Sequence, residues 1–436
     1  MNFFNLSLQL KGFPIKKAKQ DFAEIQSQSE DEFIAYIQNK KRQILEYHLN
    51  NNPFYKNFVK GADLSDWNSI PIIHKSDLQI PLAQRLSTGF TTKNCHLHKT
   101  SGSSGTPLIF AKDKYCHALT WANFMDRYAL FGIDVETSKQ ARFYGMPLSG
   151  NGHYKERLKD KLGNRHRFSV FDLSDDTFER NIHQFEKTAF DYINGYTSTI
   201  VLFAKYLEKK EVVLKTICPS LKVCIVTAEM LFEADKVLLE KQLGVPIINE
   251  YGSAELGLIA FNNPQGEWQV NTQDLFVEIL DENDLPVPIG KEGRVVITSL
   301  YNLAHPFIRY DIGDIGSIAP SSSIQKPILQ SLMGRTSDVV KLPSGKTAAG
   351  LTFYYVTKTI IEDDADVKEF VIDQLTLDTF KITYVSSDNL STEKTKAIHQ
   401  AVENYLEPGL TIHLNRTNKL ERTSYGKLKQ FTSHLT

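Results

Sequence analysis

The chain has little cysteine and almost no net charge. Its four cysteines in 436 residues, at positions 95, 116, 218 and 224, show no Cys-x-x-Cys spacing. That argues against a disulfide scaffold or a zinc knuckle and for reduced thiols in the cytoplasm. Lys and Arg number 50 against 51 for Asp and Glu, a net charge of −1. No surplus of either sign points to nucleic acid or to an anionic membrane as partner. Nowhere do about 18 consecutive apolar residues suggest a transmembrane helix. Within residues 1–19 the apolar Phe3, Phe4, Leu6, Leu8 and Leu10 are interleaved with polar residues, unlike the unbroken run of a signal peptide. Internal repeats and low-complexity tracts are missing too.

What is present is a chain 41% hydrophobic. That suffices for one large core and one small one, because domains usually hold about 100 to 200 residues. Residues 30–49 repeat Phe33, Ile34, Ile37, Ile44 and Leu45 at loose helical spacing, ending near Asn52-Pro53. Between residues 95 and 249 short apolar runs (223–226, 245–248) alternate with helical stretches (175–187, 232–242). This predicts an α/β domain with crossover-connected parallel strands. Residues 276–280 and 293–300, separated by the turn Asp281-Glu282-Asn283-Asp284, and then residues 307–318, predict a β-rich subdomain.

The most informative segment is Thr100-Ser101-Gly102-Ser103-Ser104-Gly105-Thr106-Pro107. The glycines let backbone approach a polyanion, and the hydroxyls and free N–H groups can donate to phosphate oxygens. It lacks the Gly-Lys-Ser/Thr that opens a helix in a Walker loop. Apolar, β-prone residues follow it, so it should form the tip of a hairpin. The same composition also fits an ordinary Gly/Ser turn.

Further motifs follow in order: Asn249-Glu250-Tyr251-Gly252-Ser253-Ala254-Glu255, Arg309-Tyr310-Asp311-Ile312-Gly313-Asp314, Gly334-Arg335-Thr336-Ser337-Asp338 and Arg422-Thr423-Ser424-Tyr425-Gly426-Lys427. With the loop, this set resembles the signature of the adenylate-forming (AMP-binding) enzymes. The phenylacetate-CoA ligase-like branch, with its capsular polysaccharide relatives, is the nearest, since Asn52-Pro53-Phe54-Tyr55 and residues 70–78 resemble that branch's opening. The resemblance covers nearly the whole chain. It implies a large N-terminal domain, residues 1–334, with mixed sheets and the β-rich subdomain, and a small mobile α+β lid, residues 335–436, hinged near Ser337 or Asp338. The family's Asp or Lys at the pivot is replaced here by Ser337. In the lid, a helix capped by Ser391 and stopped by Pro408-Gly409 is expected.

The resemblance further implies a carboxylic acid activated by ATP and Mg²⁺ to an acyl-adenylate, then passed to CoA or a phosphopantetheine thiol. Thr100 and residues 101–106 would hold phosphates. Glu255 would take Mg²⁺, or else be a solvated surface glutamate. Asp311 would accept both ribose hydroxyls, while Asp314 would cap a turn. Ala228, Glu229, Gly252 and Ser253 would line the nucleotide, and Tyr251 would stack on adenine or form a wall of the acyl pocket. Arg335 would donate to ribose or phosphate, or pair across domains. Lys427 would bridge the carboxylate and the α-phosphate, or belong to a basic tail. Tyr144, Gly145, Gly195 and Tyr196 are candidates for an aryl or other apolar acid pocket.

Many ligases of that branch carry a zinc after the Tyr-Gly-x-x-Glu motif. Residues 261–274 contain no Cys or His, so no zinc is expected. His96 and His98 share a strand face without a third ligand. The acid itself, CoA against a carrier protein, and monomer against homodimer are left open, as is transfer to an amine or a non-catalytic nucleotide-binding role.

Overall fold

In the computed structural model, which describes residues 8–100, 108–145, 150–170, 172–335, 339–345, 347–349, 367, 369–421 and 428–435, the alternation after residue 139 produces a parallel sheet. Strands Gln140–Phe143, Arg165–Phe168, Tyr192–Tyr196, Val223–Thr227 and Ile247–Ser253 run parallel. Helices Gly150–Leu162, Asp175–Lys187, Thr197–Lys209 and Glu233–Leu243 link them in succession. Across the sheet the order is Arg165–Phe168, Gln140–Phe143, Tyr192–Tyr196, Val223–Thr227 and Ile247–Ser253, followed by the antiparallel Gly257–Asn262 and Trp268–Val270. The chain therefore builds first to one side of Gln140–Phe143 and then, from Tyr192–Tyr196 onward, to the other. Such a switch leaves a crevice at the carboxyl ends of those two strands, where ligands of open α/β sheets bind.

Both faces of this sheet are apolar. On one side Phe143, Phe168 and Phe185 stack at centroid separations of 4.7 and 5.1 Å, within a cluster that includes Phe190, Phe203 and Leu239. On the other, Tyr128 packs with Ile225, Ile248 and Phe261. Tyr128 belongs to helix Lys114–Ala129, which Asp113 caps by accepting from the Tyr115 and Cys116 N–H groups. Most of the aromatic residues concerned are core.

The predicted β-rich subdomain is a four-stranded sheet in the order Leu275–Leu280, Gly293–Ser299, Tyr310–Ile318, Leu329–Arg335. The turn at 281–284 forms because Asp281 Oδ1 accepts from the Asn283 and Leu285 N–H groups. The third strand starts at Tyr310, later than the apolar pattern from residue 307 suggests, because Arg309 has φ +47°. Its fully buried guanidinium is clamped on the carbonyls of Asn68, Ile70 and Asp284. Strands His96–Lys99 and Ile109–Lys112 form the predicted hairpin, pairing Lys99 with Ile109 and His96 with Lys112.

The chain divides into two compact units, Met1–Leu332 and Met333–Thr436. In the second, strands Glu369–Gln374 and Thr379–Val385 pair antiparallel, and Thr411–Thr417 and Phe431–Ser433 add parallel at the edges. Helix Thr392–Tyr405 starts where Ser391 accepts from the Lys394 N–H. Residues 351–361, Ser101 to Thr106, the expected hinge at Ser337 or Asp338, and Lys427 all lie outside the described residues.

Candidate functional site

Thr100 closes the base of the hairpin formed by strands His96–Lys99 and Ile109–Lys112. Its N–H donates to the Leu108 carbonyl and its hydroxyl accepts from the Leu108 N–H, each at 2.9 Å. At the far end of the returning strand is Lys112, a buried ammonium that donates to Thr120 Oγ1 at 3.2 Å. Burial pulls its pKa down, and the nearby charges of Cys116, Asp274 and Glu255 oppose that fall. The sequence reading missed Lys112; a lone charge ending an apolar strand was the available signal.

Glu255 sits in the turn that joins strands Ile247–Ser253 and Gly257–Asn262, where Ser253 pairs with Gly257. Ser253 Oγ orders this turn by accepting from the Leu256 N–H at 3.1 Å. Two glycines make it possible. A Cβ on Gly252 would lie 2.7 Å from the Gly257 carbonyl oxygen, and one on Gly257 (φ +88°) would lie 2.7 Å from Thr120 Cγ2. The same Gly257 Cβ position is 3.6 Å from Lys112 Nζ, so the hairpin strand packs directly on the glutamate turn. Glu255 is only 8% exposed and accepts from the Tyr310 hydroxyl at 3.4 Å. It is not a solvated surface glutamate.

Tyr251 links the two sheets of this region. Its hydroxyl donates to Asp314 Oδ2 at 2.6 Å, and its ring meets Trp268 at 5.9 Å. Asp314, expected to cap a turn, thus also meets Tyr251 of the 249–255 motif. Asp311 is already engaged: Oδ1 accepts from the Gly313 N–H at 2.8 Å and Oδ2 from Arg294 Nη1 at 3.2 Å, with His74 3.7 Å away.

Ala228 and Glu229 follow the carboxyl end of strand Val223–Thr227. Ala228 has φ +70°, a left-handed conformation costly for a residue with a Cβ and typical of functional backbone. Glu229 caps the neighbouring helix: its Oε2 accepts from the Ser198 N–H at 2.7 Å, and its carbonyl from Thr197 Oγ1 at 3.2 Å. It supplies the cap that Tyr196, at the N-cap position, does not.

At the switch-point crevice Tyr144 and Tyr196 lie with ring centroids 4.8 Å apart, and the Arg142 guanidinium sits 4.2 Å above the Tyr144 ring. The Gly145 carbonyl accepts from Arg167 at 3.0 Å. Gly195 is a packing requirement, since a Cβ there would fall 2.4 Å from Phe143 Cβ and 2.5 Å from the Phe143 carbonyl oxygen. A further buried carboxyl, Glu250, accepts from the Tyr128 hydroxyl at 2.8 Å. Burial raises its pKa, with Tyr128, Thr227 and Arg142 pulling the other way.

Arg335 ends the strand Leu329–Arg335. Among the described residues no group of three or more His, Cys, Asp or Glu is arranged to hold a metal ion. His96 stacks on His117, with ring centroids 3.7 Å apart. No helix among the described residues is long and apolar enough to cross a membrane.

No family model matches the chain. By sequence it is 22% identical to Protein CapK of Staphylococcus aureus, over 98% of this chain and 95% of that one. It is 26% identical to the phenylacetate-coenzyme A ligase of Aromatoleum evansii, over 73% of this chain and 74% of that one. By structure it is similar to 2-hydroxyisobutyryl-CoA ligase in complex with an acyl-AMP, with TM-score 0.70 and 17% identity over 92% of this chain and 90% of that one. The fold is that of the adenylate-forming enzymes, and the sequence relatives fall in the branch that the motifs resemble.

Proposed function

We propose that this adenylate-forming chain activates a small carboxylic acid with ATP and transfers the acyl group to a thiol. One acid oxygen attacks the α-phosphorus, the bond to pyrophosphate breaks, and an acyl-adenylate forms. A thiol sulfur then attacks the acyl carbon and AMP leaves. Position carries this reading. The glutamate turn, Ala228 and the Tyr144–Tyr196 pair follow the carboxyl ends of adjacent strands beside the switch point, and the loop-bearing hairpin packs on the glutamate turn.

An anion must approach a polyanionic triphosphate, so donors and positive charge are needed at the reacting centre and on the leaving group. Residues 101–106 would supply donors to the β and γ phosphates. Glu255 offers the hard carboxylate oxygen that Mg²⁺ takes together with phosphate oxygens, and burial keeps that oxygen out of competition with bulk water. Lys112, anchored to Thr120, would brace the turn without touching the nucleotide. Tyr251 and the Ala228 backbone would line the nucleotide, with Glu229 fixing that segment through the helix it caps. The cis-diol of the ribose needs a carboxylate with free acceptor sites. Asp311 is proposed to share that task with Asp314, because Gly313 and Arg294 already occupy part of its acceptor capacity. Arg335 would donate to ribose or phosphate. Lys427 would bridge the two reacting anions, carried by a lid pivoting at Ser337 or Asp338.

The aromatic pair in the crevice favours an aryl or other apolar acid over an amino acid. CoA is the acceptor that the relatives' names support; a carrier-protein phosphopantetheine would present the same thiol. A cytoplasmic setting suits four free cysteines. A pyrophosphate-exchange screen over aryl, fatty and amino acids tests the reading: exchange with an apolar acid supports it, and no exchange with any acid rejects it.

A further inference from the structure

Helix Glu30–Asn51 places Phe33, Ile37 and Lys41 on one stripe, four residues apart. The third position, where the pattern calls for an apolar side chain, is a lysine. That stripe forms one wall of a cavity of about 610 Å³, whose other walls include Val277 and Ile279 of the four-stranded sheet and Ile324. This is within the size range of small-molecule sites. None of the residues assigned above to the reaction lines it.

Lys41 is 8% exposed, and its ammonium lies 4.2 Å from the Trp67 ring centroid and 4.1 Å from that of Phe276. Among the described residues it makes no hydrogen bond and no ion pair. The cavity's one carboxylate, Glu278, is 3.5 Å from the buried Arg309 guanidinium, while a second lysine, Lys291, is exposed at its edge. The lining therefore holds an excess of positive charge in apolar surroundings. Aromatic faces offset part of the cost of burying an ammonium, but a desolvated cation with no ion pair or hydrogen bond remains unfavourable. Burial accordingly depresses the Lys41 pKa, and Glu278 only partly opposes this.

We propose that this cavity is a binding site for an apolar monoanion, a hydrocarbon or aryl body with one anionic head group seated at Lys41. The body would lie along Val277, Ile279 and Ile324, and the head would supply the missing negative charge. The site is separate from the crevice and does not depend on the activity proposed above.

The test uses the full chain with Trp121 and Trp268 replaced by Phe, which leaves Trp67 as the only tryptophan and places the reporter at the cavity itself. Octanoate, octyl phosphate and octan-1-ol are titrated while Trp67 emission is followed. Octanoate should bind about tenfold or more tighter than octan-1-ol, the scale of one charge-assisted hydrogen bond. Octyl phosphate, compared on the same scale, distinguishes a carboxylate from a phosphate head. In Lys41→Met the preference should vanish and in Lys41→Arg it should persist. Equal affinity for octanoate and octan-1-ol in the Lys41 protein, or no saturable change at Trp67, overturns the proposal even if Lys41→Met fails to fold. An unaltered preference in Lys41→Met overturns it too.

Discussion

Tyr251 donates its hydroxyl to Asp314 at 2.6 Å, which ties the last parallel strand of the main sheet to the third strand of the β-rich sheet. One side chain from each of two separated motifs thus meets at the same point. Asp311, three residues earlier, faces Gly313 and Arg294 instead.

The two aspartates should therefore separate by assay. Asp314→Ala is expected to raise the KM for ATP by roughly tenfold or more, from loss of a charge-assisted hydrogen bond to ribose, with a small change in thermal stability. Asp311→Ala should raise that KM less and lower the melting temperature more, because it removes the acceptor of the Gly313 N–H and one of the two carboxylates that hold Arg294. The reverse ranking in ATP titrations and melting curves would make Asp311 the principal ribose contact.

Glu255→Gln removes the charge from a nearly buried carboxylate beside Tyr310. The Mg²⁺ concentration needed for half-maximal pyrophosphate exchange should rise severalfold, since a neutral amide oxygen is a weaker ligand for a hard cation. An unchanged Mg²⁺ requirement would make the glutamate structural.

Gly195→Ala should cost about 1 to 3 kcal/mol of stability, because the added methyl meets the Phe143 carbonyl oxygen at 2.5 Å and backbone cannot step aside. Urea unfolding reads this directly. A variant of normal stability with a raised KM for the acid would instead place Gly195 in the substrate pocket.

The lid mechanism predicts opposite biases in two half-reactions. Lys427→Ala should reduce acyl-adenylate formation by several orders of magnitude, because a contact made mainly in the transition state is lost. Thioester formation from supplied acyl-adenylate should survive. Proline at Ser337 or Asp338 fixes φ at the hinge and should impair mainly the thioester step. Equal loss of both steps in Lys427→Ala would sink the two-pose mechanism.

His48 is fully buried, with Nε2 against the Asn302 carbonyl at 2.9 Å and Nδ1 against Ser87 Oγ at 3.3 Å. Burial depresses its pKa to about 4, the hydrogen bond to Asn302 pulling the other way. The unfolded histidine titrates near 6.5. Below that pH the unfolded chain binds a proton that the folded one refuses. The stability this residue contributes is complete above pH 6.5 and falls as pH drops toward 4, by up to about 1.4 kcal/mol per pH unit. His48→Gln keeps a donor for Asn302, and its urea midpoint should fall less steeply across that window than the parent's. Parallel curves would remove the assignment.

Much of this protein follows from local rules that neighbouring residues obey. The 175–187 helix, the 281–284 turn and the Ser391 cap are set by spacing and by hydrogen bonds reaching two or three residues, so the sequence alone specifies them. The same holds for the hairpin around the Gly/Ser loop, because β-prone residues on both sides of a flexible tip have one another as nearest partners. The ordered motifs likewise sufficed to resemble the adenylate-forming family.

Tertiary structure decided what depends on residues distant in the chain. The sheet order, and with it the crevice beside Gln140–Phe143, follows from which strand a crossover returns to. The close approach of Gly195 to Phe143 and the cap that Glu229 places on Ser198 exist only once distant strands and helix Thr197–Lys209 come together. The different partners of Asp311 and Asp314, Arg294 and Tyr251, come from other parts of the chain. Lys112 and Lys41 are ordinary surface lysines by composition, and only packing takes their ammonium groups out of water. Burial and electrostatics depend on every atom near a group, and most of those atoms come from other parts of the chain.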